Sequence, residues 1–400
     1  MNRINEINEK YEGIFRLAPV FVPRLFSQPG HRLKLHPDDY FALGTKRGAI
    51  KERWFSSVIC ANNGPLAAPD EGMSYIASPD KPEERISLKD AVQALEAHAV
   101  GNETWDKYHS WPMYSKFFDY SVPLFHHVHL TFDNAALVGR LGKPECYYYP
   151  PQLNNYPGSM PATYFGFSPE VTPEEVKQKL RDFEVTDTRI TELSRAFRIL
   201  LGTGWYTPAG VIHAPGSYLT YEPQWNSDVN SVYENVASGE VYSRDFLDEN
   251  VPEDKKDDID YIFSLLDWEK NVDPDYRKHY FRPPIIDETA PDGCIQKWGV
   301  YGNDYVAAKE LTVMPGQTVV MKDNAAHGII LTQGHGRLGA YDCETPTLLR
   351  FGQLSADEFF VTYDAACKGV KITNTSAVEP LVMLKHFGPV APGKPDAPKD

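Results

Sequence analysis

The chain has 400 residues, 42% of them hydrophobic, which is enough for one large domain or two medium domains with well-filled cores. Its net charge of -15 and the lack of a basic block argue against a nucleic-acid backbone as partner. No apolar run is long enough to span a bilayer, and no apolar stretch follows the N-terminus, so we expect neither membrane insertion nor export.

The five cysteines are scattered and never form a C-x-x-C pair. An odd number of isolated cysteines is typical of reduced thiols, so we expect a cytoplasmic protein without disulfides or cysteine-based zinc sites.

The first 120 residues predict a short helix at 4–15, several short strands and a second helix. Residues 48–57 (GAIKERWFSS) carry Glu52 and Trp54 in a strand-like segment, for which an edge strand with a packed tryptophan is the favoured interpretation. Residues 87–98 have apolar positions at helical spacing behind a serine N-cap, which predicts an amphipathic helix.

The histidine pair in residues 125–130 (FHHVHL) organises the chain. Residues two apart in a β-strand point to the same face, so His127 and His129 present two imidazoles side by side while Val128 faces the other way. A His-x-His pair alone is more often structural than metal-binding, so the hypothesis of a metal site needs further ligands.

Two later segments supply those ligands. Glu145 opens the strand-like run 145–149 (ECYYY), where a buried carboxylate is costly unless it is paired or bound to metal. Residues 208–210 (PAG) predict a tight turn that leads to His213. Three imidazoles and one carboxylate suit Zn²⁺ or another divalent first-row metal with open positions for substrate. Ligands from separate strands imply the interior of a barrel.

Residues 172–175 (TPEE) predict a helix start, with a threonine N-cap and proline at the first helical position. Further on, residues 218–228 (YLTYEPQWNSD) alternate, so Thr220, Glu222 and Gln224 share one strand face. From the residues alone, Glu222 fits a solvated strand carboxylate and an active-site acid or base equally well.

A change in composition at residue 238 predicts a domain boundary. We interpret residues 1–237 as a metal-binding domain and 238–289 as an acidic, helical linker. Short strands and regular turns over 290–389 predict a second β-barrel of the jelly-roll kind. Two of its histidines, His327 and His335, are eight residues apart and lack the spacing of a metal site, so this barrel is predicted to be metal-free. The tail, 390–400, is predicted to be disordered.

Several motifs, in order, resemble those of the class I mannose-6-phosphate isomerase family of cupins. The matching segments are IKERWFS (50–56), WPMYSK (111–116), GKPE (142–145), PAGVIHA (208–214) and EPQWNSD (222–228). The resemblance covers most of residues 20–390. It implies a mainly β fold with two cupin (jelly-roll β-barrel) domains, joined by a helical linker, and metal in the first domain only.

The chain also departs from the family pattern. The usual Gln-x-His pair is here His127-x-His129, which is closer to the general cupin motif. The arginine that the family places after its Ser-Asp segment falls on Val232, so a phosphate-binding cation is missing unless Arg244 or another base replaces it. The expected small-molecule substrate is therefore a sugar phosphate or a free sugar such as mannose or lyxose.

The resemblance implies aldose–ketose isomerisation through a cis-enediol, with the metal polarising the C1 and C2 oxygens. Glu222 is the candidate acid and base, and Lys143 is the candidate for oxygen stabilisation or proton relay. We expect a monomer or homodimer. Three alternatives stay open: a sugar epimerase, an iron-dependent oxygenase with the same ligands, and a cupin that binds sugar or metal without turnover.

Overall fold

A computed structural model describes residues 3–78, 80–81, 83–155 and 159–398. The strand pairs among these residues are antiparallel and assemble into several sheets. The prediction of a mainly β protein is therefore confirmed.

The strands and helices have the following bounds. The strands up to residue 241 are β1 (Ile14–Arg16), β2 (Val20–Arg24), β3 (Ala49–Phe55), β4 (Tyr75–Ile76), β5 (Ile86–Ser87), β6 (Met113–Phe118), β7 (His127–Val128), β8 (Glu145–Tyr148), β9 (Ala162–Phe167), β10 (Ser194–Arg198), β11 (Gly204–Thr207), β12 (His213–Ala214), β13 (Thr220–Trp225), β14 (Ser231–Val232), β15 (Val236–Ala237) and β16 (Glu240–Val241). The later strands are β17 (Phe281–Arg282), β18 (Ile285–Ile286), β19 (Cys294–Val300), β20 (Ala307–Val313), β21 (Thr318–Met321), β22 (His327–Gln333), β23 (His335–Leu338), β24 (Tyr341–Glu344), β25 (Glu358–Val361), β26 (Val370–Asn374) and β27 (Leu381–Phe387). The α-helices are α1 (Arg3–Lys10), α2 (Leu88–Leu95), α3 (Ala97–Val100), α4 (Asn102–Tyr108), α5 (Phe132–Ala136), α6 (Pro173–Arg181), α7 (Arg244–Asp248), α8 (Ile259–Ser264), α9 (Trp268–Asn271), α10 (Tyr276–Tyr280) and α11 (Tyr363–Lys368).

Two helices begin where their cap residues predict. The Ser87 side chain accepts a hydrogen bond from the backbone N–H of Asp90 and so caps α2, which ends at Leu95. The Thr172 side chain caps α6, and Glu175 completes the reciprocal capping box. Both predictions are confirmed because these signals are local.

Four sheets carry the architecture. Sheet A has the strand order β17-β11-β8-β13-β6-β3-β2, and sheet B has the order β10-β9-β12-β7-β14. Sheet C has the order β1-β25-β22-β27-β20-β19-β18, and sheet D has the order β21-β26-β23-β24. The predicted site residues all lie on or beside strands of sheets A and B.

Sheets A and B pack together through an aromatic core. The Phe165 ring of β9 lies 5.0 Å from the Trp205 ring of β11 and 5.9 Å from the Tyr147 ring of β8, measured between centroids. These side chains are buried, and burying aromatic surface is a strong driving force for sheet packing. The aromatic core therefore holds the two sheets that carry the site residues against each other.

Sheet A also contacts sheet C, so the N-terminal and C-terminal sheets share an interface. The Tyr148 hydroxyl of β8 donates to Glu310 of β20 over 2.8 Å. The Tyr221 hydroxyl of β13 lies 2.7 Å from Nδ1 of His386 in β27. These buried polar contacts are directional and so set how the two sheets are aligned.

The first strand lies in the C-terminal sheet. β1 pairs with β25, with Ile14 opposite Val361. The sequence places this strand in the unit 1–237, but the chain crosses to sheet C before it enters sheet A. The divisions after 237, 289 and 389 stay a prediction.

β3 is an interior strand, and the predicted edge strand at residues 48–57 is wrong. β3 lies between β2 and β6, and its seven residues are all buried. The partner β2 pairs along almost the whole of β3. That pairing buries Glu52, which the sequence had left at an edge.

The tail, predicted to be disordered over 390–400, makes hydrogen bonds with the rest of the chain as far as Pro395. The Pro395 carbonyl accepts from the backbone N–H of Gly302, and the Lys394 ammonium donates to the Asn303 carbonyl over 2.7 Å. Residues 399–400 lie outside the described part. Among the helices of the described residues, none has the length and hydropathy needed to cross a bilayer.

The close approach of β11 and β19 gives a first testable prediction. A Cβ at Gly204 would lie 2.2 Å from the Gly299 carbonyl oxygen, which is backbone and cannot move aside cheaply. We therefore expect Gly204→Ala to cost about 1–3 kcal/mol and to lower the thermal midpoint of unfolding. Gly388→Ala is the control, because its Cβ would meet its nearest neighbour at 3.6 Å. Equal midpoints for the two variants would contradict this account.

Candidate metal centre and active site

Three histidines meet because two neighbouring strands of sheet B carry them. His213 of β12 is the register partner of His127 of β7, and their rings lie 4.1 Å apart. The His129 ring lies 4.9 Å from each of the other two. The predicted turn before His213 is present, since Gly210 has a φ of 85° and Val211 N–H bonds to the Pro208 carbonyl.

Glu145 reaches the three histidines from the facing sheet A. Its carboxylate oxygens lie 3.0 Å from His129 Nε2 and 3.1 Å from His213 Nε2. The four potential ligand atoms of His127, His129, Glu145 and His213 all lie within 4.8 Å of one another, and all four side chains are buried. The four predicted ligands are therefore together at one point between the sheets.

Backbone carbonyls orient all three imidazoles. Each Nδ1 lies within hydrogen-bond distance of a carbonyl oxygen, which can only accept, so each Nδ1 carries the proton. The acceptors for His127, His129 and His213 are the carbonyls of Phe125, Val229 and Val211, at 3.0, 2.8 and 2.8 Å. Each Nε2 is then left with a lone pair, as in metal-binding histidines, and those of His129 and His213 lie 3.0 and 3.1 Å from Glu145 oxygens.

This donor set fits a divalent cation. His213 Nε2 has no hydrogen-bond donor among the described residues and faces a Glu145 oxygen at 3.1 Å. Two acceptors so close repel unless a cation or a proton lies between them. Three imidazole nitrogens and one carboxylate are ligands that zinc and other first-row metals take. The residues present therefore fit Zn²⁺ or a related ion.

Burial keeps the site in the protonation state that binds metal. Burial lowers the pKa of His127 and takes that of His129 to about 3, with the Lys143 cation adding to the second shift. Burial alone would raise the pKa of Glu145, but the Lys143 cation more than offsets it and holds this pKa well below its usual range. Metal ligands must be deprotonated, as these groups are.

Glu222 lies beside the ligand group, between two ammonium groups. Its Oε1 is 3.3 Å from both Lys116 Nζ and Lys143 Nζ, and Lys143 Nζ is 2.8 Å from Glu145. Burial and the neighbouring Glu145 charge raise the pKa of Glu222 to about 8. Burial lowers the pKa of Lys143, but Glu145 and Glu222 outweigh burial and the net shift is upward. Glu222 is therefore buried in the site, not solvated on a strand.

A second group of charged residues, Arg24, Glu52 and Asp228, adjoins Glu222 and its two lysines through Lys116, which lies 3.7 Å from Glu52. These three residues are not among the predicted site residues. Arg24 of β2 donates to Glu52 and to Asp228, with both distances 3.0 Å. Glu52 also accepts from the Trp54 indole and the Tyr120 hydroxyl. The signal for Glu52 was its place in the IKERWFS motif. Nothing in the sequence pairs Arg24 with residues so far along the chain.

Val232, on which the expected arginine falls, is a buried apolar residue, and its suggested substitute Arg244 is engaged elsewhere. Val232 of β14 pairs with His127 and is buried beside Phe125. Arg244 donates to the carbonyl of Lys256 in the helical segment. Among the described residues, Arg24 does place a guanidinium beside the site, bonded to Glu52 and Asp228.

The histidines of sheets C and D lie outside this centre. His327 Nε2 is 3.7 Å from Asp323, and His335 is exposed on β23. Burial lowers the pKa of His327 to about 4.

A cavity of about 320 Å³ opens onto the ligand group, and both sheets contribute to its walls. Its charged lining includes Lys116, Lys143, Glu222 and Asp228, and its apolar lining includes Phe118. This volume is at the small end for ligand sites.

Comparisons with solved structures show the fold. Over 94% of this chain, the TM-score is 0.60 to mannose 6-phosphate isomerase from Bacillus subtilis, at 16% identity and 99% coverage of that chain. The TM-score with a putative mannosephosphate isomerase from Archaeoglobus fulgidus is also 0.60, at 14% identity, with 94% of this chain and 98% of the other covered. A point mutant of phosphomannose isomerase from Salmonella typhimurium gives 0.63 at 11% identity, covering 94% of this chain and all of that one.

No family model matches the sequence, and no curated protein is similar to it. At these identities the structural similarity shows a shared fold alone. The chain therefore has the fold of phosphomannose isomerases over nearly its whole length.

The ligand group gives a second testable prediction. Replacing His213 by Ala removes one of three imidazoles, so zinc content after dialysis should fall from about one equivalent to well below it, since loss of one ligand weakens a four-ligand site severely. His126→Gln is a matched control, because His126 neighbours the ligand pair but pairs with Glu234 at 2.8 Å instead. Metal analysis by mass spectrometry is the readout. Full zinc content in the His213 variant would remove it from the site.

Proposed function

We propose that the protein is a metal-dependent aldose–ketose isomerase of the phosphomannose isomerase type. Its substrate is an aldose of the mannose kind, which it interconverts with the ketose through a cis-enediol. The observation that carries the proposal is the position of Glu222, which lines the same cavity as the ligand group and whose pKa is shifted toward neutrality. The shared fold with mannose 6-phosphate isomerases supports it.

His127, His129, Glu145 and His213 would hold the metal, Zn²⁺ or another divalent first-row ion. When bound, such an ion supplies Lewis-acid stabilisation of negative charge on the C1 and C2 oxygens. The solved structures that share the fold include a zinc-bound mannose 6-phosphate isomerase.

Glu222 is the proposed acid and base. As a carboxylate it takes the proton from C2 of the aldose, and as a carboxylic acid it returns a proton to C1. A second proton passes from the O2 hydroxyl to the O1 carbonyl oxygen, so the aldose and the ketose have the same composition and no net oxidation occurs. A pKa near 8 lets one group do both near neutral pH. Lys143, 3.3 Å from Glu222, is placed to stabilise an oxygen of the enediol or to relay a proton.

The finer architecture is also a proposal. We infer that sheets A and B form one jelly-roll cupin unit and sheets C and D a second, metal-free unit. α7 to α10 lie in the chain between them, within the predicted linker 238–289. A cytoplasmic location stays a prediction, which the five free cysteines support.

Glu222 is the subject of the third prediction. Glu222→Gln keeps the shape of the side chain but removes its capacity to take a proton. We expect turnover of the sugar substrate to fall by roughly 100- to 10,000-fold, with metal content unchanged. The measurement is isomerisation followed by ketose formation, together with metal analysis of the same samples.

Glu358→Gln is the matched control. Glu358 is also a fully buried glutamate, and burial raises its pKa to about 8, but it lies in β25 beside Arg53. This variant should keep its activity. Loss of activity in both variants, or in neither, would remove Glu222 from the proposed mechanism.

A further inference from the structure

We propose that the sugar substrate is uncharged, that is, a free aldose and ketose and not their phosphate esters. This inference rests on the proposed function and concerns the same cavity. It is carried by the ion pairs that already engage the buried cations of the cavity.

The guanidinium of the cavity is engaged by two carboxylates. Arg24 is 6% exposed, and its Nη2 donates to Glu52 and to both oxygens of Asp228 at 3.0 to 3.1 Å. Its Nη1 donates to Asn63. Phosphate recognition by arginine uses two parallel N–H groups directed at the phosphate oxygens. In Arg24, Nη2 is directed at carboxylates instead.

The two buried lysines are shared among three carboxylates. Lys116 lies 3.3 Å from Glu222 and 3.7 Å from Glu52, and Lys143 contacts both Glu145 and Glu222. A phosphate ester brings about 1.5 to 2 negative charges at neutral pH. Placed beside these ion pairs, the phosphate would compete with the carboxylates for each ammonium. It would also repel the carboxylates, and charge interactions are strong in a buried setting.

The mouth of the cavity repeats this pattern. The Nη2 group of Arg47 contacts both carboxylate oxygens of Glu71, at 2.7 and 2.6 Å. Glu249 lines the mouth and accepts from the side chain of Asn62. Lys46 also lines the mouth, but it is exposed, and an exposed lysine is a weak, hydrated point charge for phosphate.

A free sugar matches these groups better. Each sugar hydroxyl both donates and accepts, so it can bridge a carboxylate and an ammonium without separating them. The apolar lining, including Leu25, Phe26 and Phe118, provides surfaces for the C–H faces of a sugar ring.

The test compares D-mannose with mannose 6-phosphate on the metal-loaded protein. We expect kcat/KM for free mannose to exceed that for the phosphate ester by at least about tenfold, the equivalent of 1.4 kcal/mol. A kcat/KM for the ester equal to or above that for mannose overturns the inference and leaves the proposed function intact.

If neither sugar is converted, the proposed function fails. Calorimetric binding of the two sugars then still shows whether the cavity prefers the uncharged sugar or its phosphate ester. Mannose binding at least as tightly as its phosphate supports the inference, and tighter binding of the phosphate overturns it.

Inorganic phosphate as an inhibitor of mannose turnover gives a second readout. Glu71→Gln leaves Arg47 without its carboxylate, so phosphate inhibition should strengthen severalfold over the wild-type protein. Glu192→Gln, in the surface pair with Arg189, is the control and should not change inhibition. Strong phosphate inhibition of the wild-type protein, unchanged by Glu71→Gln, would overturn the inference.

Discussion

The three hydrogen bonds from imidazole Nδ1 groups to backbone carbonyls are the interactions on which the rest of the site depends. A histidine ring can rotate and can carry its proton on either nitrogen, so an unsupported cluster of three would present no defined ligand set. Carbonyl acceptors remove that freedom, because they require a proton on Nδ1 and so free the Nε2 lone pair. Since the carbonyls belong to the strands and loops of the fold, the site is organised before any ion binds.

The site also depends on two sheets being held in contact. The histidines come from sheet B and its adjoining loop, whereas Glu145 and Glu222 come from neighbouring strands of sheet A. The aromatic packing of Phe165 against Tyr147 and Trp205 sets the distance between these sheets. An ion that bridges His213 and Glu145 would in turn join the two sheets, so metal binding and stability should be linked.

Much of this site could be predicted from the sequence because its signals are short-range. Two features depend only on residues close together in the chain, so the sequence alone specifies them. They are the spacing of His127 and His129 and the turn before His213. Glu52 was misjudged because its burial depends on β2, a strand whose pairing with β3 no local pattern specifies. Arg24 was missed for the same reason, since its partner Asp228 is 204 residues further along the chain. The placement of β1 in sheet C is likewise a long-range pairing.

The central claim is that three imidazoles oriented by carbonyls and one carboxylate form a metal centre. X-ray absorption at the zinc edge of the loaded protein tests it directly. The account predicts a first shell of nitrogen and oxygen atoms at about 2.0–2.2 Å, with the outer-shell scattering of three imidazoles and no sulfur. A spectrum with a sulfur ligand at about 2.3 Å, or with scattering from no more than one imidazole, would contradict it.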